Sequence, residues 1–359
     1  MHPAGEPRSI LVIRLGAVGD VVRTLPAVSC LKRTFPFARI TWTVEEPSRE
    51  ILEGDPEIDE VIVLRRRALV AGLKLRGTLA ALAHLREYRA ALRGRTFDWA
   101  VDLQGTLKSA LIARSSGAPR TFGFGRAHAR EWSHLLYTDP VAIPAGKMSR
   151  VARALTFVEA LGADVSSPRH RLPKREGPSS AAREFLRSAA PARPRVLVCP
   201  GTSEAQAYKR YPADLFARLA DRIAEEAGAS VVIAWGPGEE PIAEEVRRSM
   251  RRAAVLTPPT RLTDLAELAR ECDLFVASDT GPLHIAAAVG VPLLALYGPT
   301  DPIVNAPYTD APYLSFVGDV TCRPCRNRGC QNRACLKLID PDDTARQAVA
   351  TLLNGNGAR

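Results

Sequence analysis

Ile10-Leu11-Val12-Ile13-Arg14-Leu15-Gly16-Ala17-Val18-Gly19-Asp20 near the start, and Leu274-Phe275-Val276-Ala277-Ser278-Asp279-Thr280-Gly281-Pro282-Leu283-His284 near the end, follow one pattern. Each begins with four apolar residues that read as a buried strand, turns at glycine, and runs into an apolar-periodic segment that reads as a helix. Such a strand, tight turn and helix start presents backbone N–H groups and one or two polar side chains to a ligand. Two of these mouths in one chain predict two facing half-domains with a cleft between them. One would supply a reactive carboxylate and the other a phosphate site.

The rest of the chain repeats the alternation. Residues 10–13, 40–44, 61–64 and 99–103 read as strands, with helices over 21–34, 68–91, 108–115 and 150–161. The second half restarts with strands at 196–199, 230–234, 274–277 and 293–296 and helices at 213–226, 240–251, 263–270 and 283–289. A βα succession of this kind makes a mostly parallel sheet. The predicted organisation is an α/β chain of two doubly wound Rossmann-like domains facing a central cleft. An N-terminal domain spans residues 1–165, a Pro- and Ser-rich linker 166–194, a C-terminal domain 195–340 with a cysteine-rich loop at 322–335, and a terminal helical segment 341–359.

At 359 residues the chain exceeds what one hydrophobic core serves, which agrees with two domains. A 46% hydrophobic and 25% charged composition is that of a soluble globular protein, and no apolar run reaches the roughly 18 residues that span a bilayer. Residues 1–8 are polar and lack the apolar stretch of a signal peptide, so a cytoplasmic protein is expected. The net charge of +10 is concentrated in the first half, at Arg65, Arg66, Arg67, Lys74, Arg76, Arg86, Arg89, Arg93 and Arg95, then Arg114, Arg120, Arg126 and Arg130. It fits either a solvated arginine-rich surface or an anionic partner, whether nucleic acid, membrane or substrate. Aromatic residues are only 6% and do not interleave with the arginines, which argues against single-stranded nucleic acid.

Several nucleotide motifs are missing. The Gly16 to Gly19 turn lacks the third glycine of the dinucleotide fingerprint, and no P-loop sequence occurs. Asp340-Pro341-Asp342 looks like a metal-binding Asp-x-Asp, but it stands before the terminal helix 344–353, where an Asp caps N–H groups and a Pro suits the first turn. Cys322, Cys325, Cys330 and Cys335, four of the seven cysteines, have spacing that suits a structural tetrahedral zinc or reduced thiols. Cys30, Cys199 and Cys272 lie among apolar residues and read as core.

Ile13-Arg14-Leu15-Gly16-Ala17-Val18-Gly19-Asp20 with Leu25-Pro26-Ala27, Asp102-Leu103-Gln104-Gly105 with Lys108-Ser109, Pro200-Gly201-Thr202-Ser203 with Lys209-Arg210-Tyr211-Pro212, and Asp279-Thr280-Gly281-Pro282 with His284 occur in an order and at spacings that resemble glycosyltransferase family 9. The best-known members of that family are the lipopolysaccharide heptosyltransferases. The resemblance covers nearly the whole chain and implies the two-domain GT-B fold, with the acceptor held by the first domain and the nucleotide sugar by the second. It further implies an inverting, metal-independent transfer of heptose from ADP-heptose to the inner core of lipopolysaccharide, with no catalytic cofactor and a purely structural role for any zinc.

By resemblance Asp20 is the general base; the plainer reading is a helix cap, and a carboxylate at a helix start is stabilised as the anion. Lys209 is the candidate cation for the leaving diphosphate, against the default of an exposed loop lysine. Gly19, Thr202, Ser203, Thr280 and Gly281 would border the donor, with Asp279 on a sugar hydroxyl or orienting the turn and Glu239 on the ribose. His284 joins the donor site by resemblance; otherwise it is a satisfied buried histidine. The acceptor falls to Arg65, Arg66, Arg67, Gln104, Lys108 and Arg126. Expected partners are an ADP-sugar, an anionic lipid-linked saccharide and the cytoplasmic face of the inner membrane, with no nucleic acid. The alternatives are a GT-B sugar-nucleotide epimerase, a family 9 transferase for another sugar or acceptor, and a basic metal-binding nucleic-acid module.

Overall fold

The computed structural model describes residues 6–65, 78–325 and 327–353. The chain divides into two compact units, residues 1–170 and 171–359. In the first, six parallel strands stand in the order β3-β2-β1-β4-β5-β6, where β1 is Ser9–Ile13, β2 Arg39–Glu45, β3 Glu60–Leu64, β4 Trp99–Asp102, β5 Arg120–Phe124 and β6 Asp139–Val141. Residues Ile10 to Ile13 are completely buried, as expected for a central strand covered by helices on both faces. The strand order reverses between β1 and β4, and it is outside the carboxyl ends of the strands at such a point that doubly wound sheets bind ligands.

The second unit repeats the plan. Its order is β12-β11-β10-β7-β8-β9, with β7 at Arg195–Cys199, β8 Ser230–Ile233, β9 Ala254–Leu256, β10 Leu274–Ser278, β11 Leu293–Tyr297 and β12 Tyr313–Val317. Here the order reverses between β7 and β10, which pair from Leu274 against Val196 to Ala277 against Cys199. The two sequences quoted at the outset therefore both border the reversal point of their sheets, from opposite sides: β1 is the counterpart of β7, and β10 that of β4.

Local differences from the expected elements have visible causes. The helix expected over 21–34 is two helices, Val18–Val22 and Leu25–Thr34. Thr24 Oγ1 donates back to the Asp20 carbonyl at 2.8 Å, and Pro26 removes an N–H at the next helix start. Strands β5, β6, β9 and β12 were absent from the expectation; β6 and β9 have only three residues, and β6, β9 and β12 are sheet edges with incomplete burial and weak apolar signal. Within 166–194 the helix Glu176–Ala189 belongs to the second unit, where Ser179 Oγ donates to Glu267 at 2.9 Å. Asp340 caps the helix Pro341–Ala348 through the Asp343 N–H at 2.8 Å. Ala345, Ala348 and Leu352 carry that segment into the core of the second unit.

Candidate functional site

In the first unit the turn after β1 is pinned from both sides. Trp42 Nε1 donates to the Arg14 carbonyl at 3.1 Å, Glu45 N–H to the Leu15 carbonyl at 2.7 Å, and Leu15 N–H to Gln104 Oε1 at 2.9 Å. The helix that follows, Val18–Val22, has Ala17 at its N-cap, which offers no side-chain hydrogen bond, and Asp20 lies inside the first turn without capping it. Its carboxylate is instead ringed by guanidinium groups: Arg14 Nη2 at 2.8 Å on Oδ2, with Arg23 Nη2 at 2.6 Å and Arg150 Nη1 at 3.2 Å on Oδ1. Arg14 and Arg23 are themselves fixed, on the Leu103 carbonyl at 2.7 Å and the Gly19 carbonyl at 3.1 Å. Arg153 completes a cationic cluster: burial, then the nearby Arg150, Arg130 and Arg14, pushes its guanidinium below the usual arginine value. The Arg153 Nε is buried without a hydrogen-bond partner among the described residues.

The turn after β4 is organised by Asp102, which is fully buried and accepts the N–H groups of Gln104 at 2.8 Å and Gly105 at 3.1 Å and the Tyr137 hydroxyl at 2.7 Å. Burial raises the Asp102 carboxyl above the usual range. Gly105 has φ +70°, and a Cβ there would stand 2.9 Å from the Phe124 ring, so only glycine fits. Gln104 staples this turn to the one after β1, since Nε2 also donates to Thr106 Oγ1 at 3.2 Å. Lys108 Nζ lies 2.6 Å from Glu45 Oε1. Arg126 is exposed after β5, and Arg65 is exposed after β3, its N–H donating to His84 Nε2 at 2.9 Å. Arg66 and Arg67 lie outside the described residues.

In the second unit the chain leaves β7 through Pro200-Gly201-Thr202. A Cβ on Gly201 would fall 2.3 Å from Glu239 Oε2, which also accepts the Gly236 N–H at 3.1 Å. Glu239 is thus packed against the turn, not separate from it. Lys209 ends a 3-10 turn, Glu204–Lys209, and its ammonium sits 3.2 Å from Asp279 Oδ2 at the end of β10. His284 Nε2 is 3.8 Å from Asp279 Oδ1, and both side chains are buried. Thr280 precedes the helix Gly281–Val289 without capping it, and its hydroxyl, like that of Thr202, is buried without a hydrogen-bond partner among the described residues. Ser203 is exposed.

The structure therefore gathers Lys209, Asp279 and His284, with Thr202, Thr280, Gly281 and Glu239, at adjoining strand ends of one sheet. It places Gly19, Asp20, Gln104 and Lys108 at the corresponding end of the other, with Arg65 and Arg126 on the outside. Sequence reasoning missed the arginines around Asp20. The i, i+3 spacing of Asp20 and Arg23 was a usable signal; Arg150, 130 residues away, left none.

In the cysteine-rich loop Cys325 Sγ receives the Asn327 N–H at 3.3 Å and Cys322 is exposed. Burial, then Cys322, raises the Cys335 thiol, to which Cys330 also contributes. Among the described residues no three His, Cys, Asp or Glu side chains are grouped to hold a metal ion. Also among the described residues, no helix is long and apolar enough to cross a membrane.

Residues 85–336 match the family model described as Glycosyltransferase family 9 (heptosyltransferase). The chain is 29% identical to lipopolysaccharide heptosyltransferase 1 of Pseudomonas aeruginosa over 96% of its own length and 98% of that protein. Among solved structures, a family 9 glycosyl transferase from Veillonella parvula superposes with a TM-score of 0.78 at 23% identity, covering 97% of both chains. The E. coli ADP-heptose LPS heptosyltransferase II gives 0.76 at 24% identity, over 97% of this chain and all of that one.

Proposed function

The chain belongs to glycosyltransferase family 9, and from that membership we propose that it transfers heptose from ADP-heptose to the inner core of lipopolysaccharide, by a single displacement with inversion. The names of its relatives support the sugar and the acceptor. The observation that carries the chemistry is the end of β10: an ammonium on a buried carboxylate beside a helix N-terminus, with two buried hydroxyls that have no partner among the described residues. Lys209, Thr202, Thr280 and the first N–H groups of the helix Gly281–Val289 together suit a diphosphate, whose charge grows as it departs.

In the proposed reaction Asp20 takes the proton of the acceptor hydroxyl as its oxygen bonds to the anomeric carbon and the bond from that carbon to the diphosphate oxygen breaks. Lys209 supplies positive charge for the leaving group, so the transfer is proposed to need no divalent metal, and chelation should leave the rate unchanged. Guanidinium groups outnumber carboxylates around Asp20, which favours an acceptor bearing phosphate or carboxylate close to the attacking hydroxyl. Such an acceptor, lipid-linked, would draw the enzyme to the cytoplasmic face of the inner membrane. The test is thermal stabilisation followed by turnover. ADP and ADP-heptose should raise the unfolding temperature, by about 2.7 kcal/mol of stabilisation at a hundredfold excess over Kd, and GDP and dTDP should not. An equal response to every nucleotide, or no heptose transfer to a core acceptor, would refute the assignment.

A further inference from the structure

We infer that the face formed by the helix Leu107–Ser115 and the 3-10 turn Ser133–Leu136 docks on an anionic lipid bilayer surface. Most large apolar side chains in the first unit are buried, yet Leu107 is 42% exposed, Leu111 52%, Trp132 70% and Leu135 70%. Leu107 and Leu111 are four residues apart and share one side of their helix, with Arg114 a turn further on. The 3-10 turn packs against that helix, so Trp132 and Leu135 extend the same surface.

The exposure is imposed by the fold. Ser133 is fully buried and its hydroxyl donates to the Gly105 carbonyl at 3.1 Å; Arg130 N–H donates to the same carbonyl at 2.9 Å. Glu131 Oε2 receives the Leu107 N–H at 3.1 Å, tying the turn to the helix start. Between these anchors Glu131 and Trp132 both take left-handed backbone, φ 55° and 60°, which side chains with a Cβ disfavour and surroundings must enforce. The result holds an indole outward on a rigid base.

The charge around the patch selects its partner. Lys108 and Arg114 are exposed on the helix and Arg126 and Arg130 on the chain before the turn; of the carboxylates beside them, Glu131 accepts a backbone N–H and Glu45 pairs with Lys108, which leaves cations in excess. Apolar and indole side chains rimmed by lysine and arginine match the boundary between headgroups and acyl chains of an anionic leaflet. The patch also adjoins the Gly105 turn and Lys108, at the acceptor end of this unit. It rests on the reading of the acceptor as lipid-linked, since a lipid anchor would then meet protein already seated at the bilayer.

The test uses the full chain and the variant carrying Leu111→Ser, Trp132→Ser and Leu135→Ser. Flotation is measured with vesicles of phosphatidylcholine alone and mixed with phosphatidylglycerol. Wild type should float with the anionic vesicles, more weakly in high salt, and the variant should lose roughly tenfold or more of that binding. Its unfolding temperature and its turnover on a delipidated, water-soluble core acceptor should match wild type. Brominated lipid should quench wild-type tryptophan fluorescence, and Trp132→Phe should abolish the quenching. Equal flotation of variant and wild type, or no wild-type flotation, overturns the inference. So does a wild-type self-association that the substitutions abolish without any effect of lipid, which would make the patch a protein interface. Vesicle binding that depends on the patch, with no heptose transfer by wild type to the soluble acceptor, would uphold the surface and refute the proposed activity instead.

Discussion

Replacing Asp20 with Asn tests whether the guanidinium-ringed carboxylate is a base or a structural counter-ion. Three arginines lean on it, and the side chains of two, Arg14 and Arg23, are only 12% and 8% exposed. Removing one partner of a buried ion pair costs about 3–5 kcal/mol. Asn keeps one oxygen acceptor, Arg14 and Arg23 keep their carbonyl partners, and Arg150 is partly solvated. Those offsets bring the expected loss to roughly 2–3 kcal/mol, or about 4–12 °C in unfolding temperature for a unit of this size. Native proteins hold about 5–15 kcal/mol, so the variant stays essentially folded at 25 °C. A fall in turnover there is then chemical. The expected fall is about 10²- to 10⁴-fold in kcat, with ADP affinity by calorimetry unchanged, because the donor groups lie in the other unit. A fully folded variant whose kcat stays within about threefold of wild type would refute the base and leave Asp20 as the arginines' counter-ion.

Arg150→Gln removes one positive neighbour from that carboxylate; less opposite charge makes it a stronger base, so the acid limb of the kcat–pH profile should move to higher pH, and an unmoved limb would separate Asp20 from the titration. Thr202→Val deletes a buried hydroxyl that has no partner among the described residues, so unfolding in urea should be unchanged or slightly harder while the KM for ADP-heptose rises; reduced stability with unchanged KM would contradict the donor-site reading. Gly105→Ala meets both a left-handed backbone and the Phe124 ring, and should lose about 1–3 kcal/mol by denaturant titration; a change under about 0.5 kcal/mol would mean the turn relaxes freely. Glu60 is held below its ordinary value of about 4.5 chiefly by its hydrogen bonds to Arg95. Its contribution is present above that value and lost as pH falls through the depressed one, so Glu60→Gln should flatten the acid loss of unfolding temperature and cost of the order of 1 kcal/mol or less at neutral pH, the pair being partly solvated.

What the sequence disclosed and what it withheld divide along one physical line. Strands β1, β4, β7, β10 and β11 were legible because both faces are covered and their residues form unbroken apolar runs, and β2 because Ile40, Trp42 and Val44 alternate with threonine. The edge strand β6, with Pro140 exposed between half-buried Asp139 and Val141, has no such run, and only pairing with β5 defines it. The same distinction governs the two mouths. Asp20 and the Thr280-Gly281 turn were visible because strand, glycine and helix start are adjacent in sequence. The partners that decide their chemistry are not: Arg150 reaches Asp20 across 130 residues, Lys209 reaches Asp279 across 70, and Gln104 joins two turns 89 residues apart. Sequence locality shows where a backbone opens to a ligand, whereas the electrostatics of the opening are set by parallel strands that topology, not spacing, makes neighbours. Asp20 shows the consequence. From the sequence, its basicity is opposed only by the partial charge of a helix end, worth at most about 1–2 kcal/mol. Three full guanidinium charges within 3.2 Å outweigh that field. A base so enclosed takes up a proton readily only when an anion draws those charges away, and in the proposed reaction a phosphate or carboxylate on the acceptor would do it. Turnover on an acceptor stripped of its anionic groups should therefore fall in kcat as well as in affinity. A loss confined to KM would show that the arginines bind the acceptor without tuning the base.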